Sequence, residues 1–86
     1  MDKKRIIELR GAAQALRATV FVGKDGVTDA VLREIAAQLD KHGLVKVKLL
    51  PSFESDRKAA GDSLASVSGA VLIEVRGRTV VLAKGR

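Results

Sequence analysis

The chain has 86 residues, 47% hydrophobic and 30% charged, with 16 Lys and Arg against 10 Asp and Glu for a formal charge of +6. That length holds a single domain, residues 1–86, with a thin core, and the apolar fraction excludes a disordered chain. The absence of cysteine excludes a disulfide framework and thiol chemistry, and no apolar run approaches the roughly 20 residues of a membrane span, so a cytoplasmic protein is expected.

Residues 3–18 carry Ile6, Leu9, Ala13 and Leu16 at helical spacing, which predicts a first helix with Gly11 as a weak point. On that helix Lys3, Arg10 and Arg17 are seven residues apart and nearly superimpose as a basic stripe. Residues 19–22, Thr-Val-Phe-Val, are β-branched and aromatic and predict a short buried strand. A second helix is predicted over residues 28–42. Thr28 is a good N-cap, Asp29 favours the positive end of the helix dipole, Val31, Leu32, Ile35, Ala36 and Leu39 form an apolar face, and Gly43 is placed to stop it. His42 falls on the apolar flank of the last turn and is expected to pack there.

Residues 44–50 alternate, with Val45, Val47 and Leu49 on one side and Lys46 and Lys48 on the other, as a strand with one wet face requires. A third helix over residues 57–68, weakened by Gly61 and stopped by Gly69, follows a polar loop around Phe53. Residues 70–84 predict two strands turning at Arg76-Gly77-Arg78, with Val71, Ile73 and Val75 facing the same way as Val80 and Leu82. The order α-β-α-β-α-β-β contains two β-α-β crossovers, which make the first three strands parallel and leave the last antiparallel. The expected fold is a two-layer α/β sandwich of the α+β type, its four-stranded mixed sheet covered mainly on one face.

These residues add up to a pattern. Leu16, then Val22-Gly23-Lys24-Asp25-Gly26-Val27-Thr28, then His-Gly-Leu-Val-Lys-Val-Lys over residues 42–48, and finally Gly-Ala-x-Leu-Ile-Glu-Val-x-Gly-x-Thr-x-Val-Leu over residues 69–82 together resemble the CRM domain. This is the chloroplast RNA splicing and ribosome maturation family, whose single-domain prokaryotic members are YhbY-like proteins. The resemblance covers nearly the whole chain. It implies a fold similar to the C-terminal domain of translation initiation factor three, RNA binding, and association with ribosomal RNA or precursors of the large subunit. It also implies that the glycine loop, similar to that of KH domains, contacts RNA, which carries over to Gly23, Lys24, Asp25 and Gly26. The chain departs from the family pattern at Gly43, where Glu is common, at Ala18, near which Pro is common, and at Ala83 and Lys84, where an aromatic residue and Arg close the last strand.

The residues themselves support a phosphate-contacting loop. Glycines let a backbone approach a phosphate without Cβ clashes, the N-H groups of a helix starting near Thr28 point toward it, and Lys24 adds a cation. A plain β-to-α turn explains the same glycines by their positive φ. Asp25 could accept a hydrogen bond from a base or a 2′-hydroxyl, or cap the helix. Arg10 and Arg17 are the preferred basic partners of the loop, because their helix runs into the strand that ends at Gly23. Lys46 and Lys48 are further candidates, with solubility as their plain alternative.

The loop matches neither G-x-x-x-x-G-K-[ST] nor G-x-G-x-x-G, so no nucleotide cofactor is expected. Neither the lone His, the serines nor the scattered carboxylates form a catalytic constellation or a metal site. Low aromatic content, Phe21 and Phe53 alone, counts against base stacking on a sheet. The expectation is an RNA-binding monomer without catalytic residues, the alternatives being a module that docks on ribosomal or assembly proteins and a chromatin-type DNA binder.

Overall fold

The computed structural model describes residues 1–85. Helix α1 spans Lys3–Ala13, strand β1 Val20–Val22, helix α2 Asp29–His42, strand β2 Leu44–Leu49, helix α3 Arg57–Ser68, and strands β3 and β4 Ala70–Arg76 and Thr79–Lys84. The helix ends follow their capping chemistry. Asp2 accepts from the Arg5 N-H, Thr28 from Val31 and Asp56 from Lys58, while Gly43 and Gly69 close α2 and α3 in the left-handed conformation.

The sheet order is β1-β2-β4-β3. β1 and β2 pair in parallel, and β4 is antiparallel to both β2 and β3. β1, β2 and β3 therefore run in the same direction, as the crossovers require, with the final strand inserted between β2 and β3. One consequence governs the rest of the molecule. The C-terminal ends of three strands, the connections that follow them, and the N-termini of α2 and α3 all lie along one edge.

The main core joins Val20, Val22, Val45, Val47, Leu49, Val80 and Leu82 of the sheet to Ile35 and Leu39 of α2 and to Ala60, Leu64 and Ala65 of α3. Each large side chain sealed there contributes on the order of 1.5–3 kcal/mol. On the opposite face, Ile6, Leu9 and Ala13 of α1 pack with Ile73, Val81 and Ala83 in a smaller cluster. Two helices thus form the main layer and the third lies over part of the other face. This explains why Val80, Val81, Leu82 and Ala83 are all buried: a strand covered on both sides needs no alternation.

Three sequence expectations are corrected. α1 ends at Ala13 rather than Ala18, so Leu16 is 40% exposed and Arg17 is off the basic stripe. A register shift between Leu72 and Glu74 changes the phase of β3. As a result Leu72 and Val75 pack with Val80 and Leu82 in the main core, whereas Val71 and Ile73 belong to the smaller one. His42 is exposed in the last turn of α2 rather than packed. Gly61, expected to weaken α3, is buried, and a Cβ there would sit 2.7 Å from Val75 Cγ2. Its missing side chain lets α3 lie close against the sheet.

Candidate nucleic-acid interface

The loop after β1 is a closed β-turn in which the Gly26 N-H donates to the Gly23 carbonyl at 3.0 Å. Its two glycines answer different demands. Gly26 has φ +69° and open space where a Cβ would project, so the backbone conformation requires it and its outer surface stays free for approach. Gly23 has an ordinary φ, but a Cβ there would lie 2.9 Å from Ser52 Oγ and 3.3 Å from Leu50 Cδ1. The chain after β2 presses against it, held by the Leu50 N-H donating to the Val22 carbonyl at 2.8 Å.

Lys24 and Asp25 occupy the exposed tip. Neither side chain has a hydrogen-bond or ion-pair partner among the described residues. Thr28 Oγ1 takes the Val31 N-H at 3.2 Å, so Thr28 and not Asp25 caps α2. Lys24 and Gly26 border a shallow cleft with Ser52, Phe53, Glu54 and Ser55. The site is therefore a lysine-tipped turn at the positive end of a 14-residue helix.

The same edge carries Arg78, from the turn expected at residues 76–78, and Arg57. With Lys58, Arg57 opens the third helix where cations oppose the dipole, a placement that hints at a use, with a solvated pair as its plain alternative. Arg78 Nη1 donates to the Leu50 carbonyl at 3.3 Å, and the Arg78 carbonyl accepts from the Leu49 N-H at 2.7 Å. Arg57 Nη1 donates to the Gly77 carbonyl at 3.2 Å. These bonds fasten the connection after β2, the β3-β4 turn and the start of α3 into one ridge, and both arginines remain exposed. The signal in the sequence was the pairing of Arg76-Gly77-Arg78 with three strands that share a direction. Lys58 instead lies 4.0 Å from Asp62 in an open surface pair.

Of the eight sequence-predicted residues, Gly23, Lys24, Asp25 and Gly26 stand on this edge. Lys48, exposed one residue before the end of β2, stands beside it. The other three are elsewhere. Arg10 Nε lies 3.6 Å from Glu74 Oε1, forming an ion pair on the α1 face. Lys46 Nζ donates to the carbonyls of Ala13 and Leu16, each at 3.2 Å. Arg17 precedes β1, so five residues of chain, six steps spanning up to about 20 Å when extended, separate it from Gly23. The expectation that Arg10 and Arg17 accompany the loop fails on direction: β1 runs away from them toward the loop.

Among the described residues, no group of three His, Asp or Glu could hold a metal ion, and no helix is long and apolar enough to cross a membrane. Fold and site together define a small α+β domain with a basic edge built around a glycine turn. The CRS1/YhbY (CRM) domain model matches residues 1–84, and the chain belongs to that family. It is 36% identical over 76 residues to a Bacillus subtilis protein named "Probable RNA-binding protein YqeI", with 88% of this chain and 79% of the relative covered. A Pseudomonas aeruginosa protein with the same kind of name is 29% identical over 75 residues, covering 87% of this chain and 72% of the relative. The solution structure of a Staphylococcus aureus protein superposes with a TM-score of 0.85 at 23% identity, covering all of this chain and 90% of the other, which establishes the shared fold.

Proposed function

We propose that this protein binds RNA through the edge formed by the Gly23–Gly26 turn, the start of α2 and the Arg57 and Arg78 ridge, and that its target is ribosomal RNA of the assembling large subunit. The observation that carries this reading is the convergence of three strand ends and two helix N-termini on one basic edge, with a lysine at its tip that has no partner among the described residues. The names of the relatives support RNA as the ligand class, and the ribosomal target rests on the family resemblance. The protein acts as a cytoplasmic monomer, by binding rather than by catalysis. Its contacts are to the sugar-phosphate backbone, which positions a nucleic acid without reading its sequence.

Crosslinking in cells followed by sequencing of the bound RNA tests the target. Enrichment of large-subunit ribosomal RNA is expected, and its absence overturns the ribosomal part. For the site, Lys24→Glu should weaken RNA binding across sequences, and an unchanged affinity in the folded variant removes the loop from the interface. Cosedimentation with ribosomal particles that survives ribonuclease would transfer the reading to a protein partner.

A further inference from the structure

On the face opposite the main core, one row of side chains crosses the whole sheet. Phe21 of β1 is in register with Lys48 of β2, Lys48 with Thr79 of β4, and Thr79 with Arg76 of β3. Phe21 alternates with the buried Val20 and Val22, and Lys48 with the buried Val47 and Leu49, so both point away from the main core. α1 covers this face only near Ile73, Val81 and Ala83, and the row lies beyond its end. Phe21 is consequently 52% exposed in the middle of a strand, an arrangement that leaves an apolar ring in water with no gain in folding.

The charge around that ring is selective. Lys48 and Arg76 are exposed and make no ion pair among the described residues. Glu74, the one carboxylate among the described residues of the adjoining hollow bordered by Lys46, Arg76 and Thr79, is held by Arg10. The row therefore presents an open aromatic ring on the edge strand, two residues and about 7 Å along β1 from Gly23, with Lys48 on the adjoining strand and Arg76 two strands farther across the sheet, about 14 Å from Phe21. A base has an apolar face and a phosphate on each side, and aromatic rings with neighbouring cations hold single strands in this way.

We infer that this row is a base-stacking subsite for single-stranded RNA, in which Phe21 takes a base, Lys48 takes the phosphate beside it, and Arg76 takes a phosphate farther along a strand that leaves the Gly23–Gly26 turn and crosses the sheet. The inference rests on the RNA-binding reading above and extends it from a backbone clamp to a site that requires an unpaired base; it departs, at this one ring, from the expectation that a sheet so poor in aromatics does not stack bases. Duplex RNA, whose bases are already stacked, is excluded from it. The surface is thereby divided into a turn that accepts either form and a row that selects the single strand.

The chain contains neither Trp nor Tyr, so Phe21→Trp introduces the sole indole exactly where stacking is to be read. Titrating that variant with oligoadenylate should quench its emission, whereas the same oligomer in a duplex should not. In the otherwise unaltered protein, Phe21→Ala should lower single-strand affinity by about tenfold with an unchanged salt slope, since no phosphate contact is removed. Because Phe21 is exposed, both variants should keep their thermal unfolding midpoint. Emission unchanged at saturating oligoadenylate, or wild-type affinity in Phe21→Ala, overturns the subsite while leaving the turn in place if Lys24→Glu still weakens binding. Failure of the wild-type protein to bind any RNA overturns the RNA-binding reading and the subsite with it.

Discussion

Lys46 terminates α1 from the neighbouring strand: its Nζ donates to the Ala13 and Leu16 carbonyls at 3.2 Å each. The Ala13 carbonyl, the last of α1, also accepts the Leu16 N-H at 3.0 Å, Leu16 ends the turn that follows, and a cation there meets the negative end of the helix dipole. Lys46→Met, which keeps the aliphatic stem and removes the ammonium, should cost about 1 kcal/mol. In a domain of this size that lowers Tm by roughly 4–8 °C, readable by thermal denaturation.

The same relationship separates two lysines that are equivalent by alternation. With its ammonium already engaged, Lys46 should contribute little to RNA binding, whereas Lys48 is free to do so. Lys48→Met should reduce the log-log salt slope by about 0.7 on single strands, and Lys46→Met should leave it unchanged. Titrations at several salt concentrations check this directly. Equal effects of the two substitutions would contradict it.

The two loop glycines should respond differently to alanine. Gly26→Ala forces a side chain into positive φ, at about 1–2 kcal/mol, and Gly26→Asn should recover part of that loss. Gly23→Ala meets Ser52 Oγ and Leu50 Cδ1, the ends of side chains that can turn aside, and should cost less. Ser52→Ala in the Gly23→Ala background should recover most of it. Urea denaturation of the four variants provides the comparison.

Gly61→Ala sets two effects against each other. Alanine gains about 1 kcal/mol of helix propensity over glycine, but its Cβ would stand 2.7 Å from Val75 Cγ2. Overpacking of this kind costs about 1–3 kcal/mol. Net destabilisation is expected, with Val75→Ala as its suppressor. A Gly61→Ala protein more stable than the wild type would show that α3 can move away from the sheet freely.

What was legible in the sequence is what local chemistry determines. Thr28, Gly43 and Gly69 mark helix ends through contacts within their own turns, and each is found in that role. The end of α1 was hidden because residues 12–16 keep helical composition and spacing, while the group that completes the terminus is 33 residues from Ala13. The phase of β3 was hidden for a related reason. Val71-Leu72-Ile73 is apolar in either register, and only pairing with β4 introduces the shift. At the candidate site the glycine turn was evident, yet Arg10 and Arg17 were grouped with it because spacing along one helix carries no information about which way the next strand runs. Arg78 carries no such local signal, since its place beside Leu50 depends on β4 entering next to β2.

That entry has a consequence for the order of events during synthesis. β1 and β2 form one ribbon and β3 another, and neither has the other as a pairing partner. As the chain emerges, the two ribbons share no backbone bonds until residues 79–84 follow and intercalate. The glycine turn belongs to the first ribbon and the arginine-bearing turn adjoins the second. Either cationic element can be placed by its own ribbon, but their alignment on a common ridge requires the strand that joins the two.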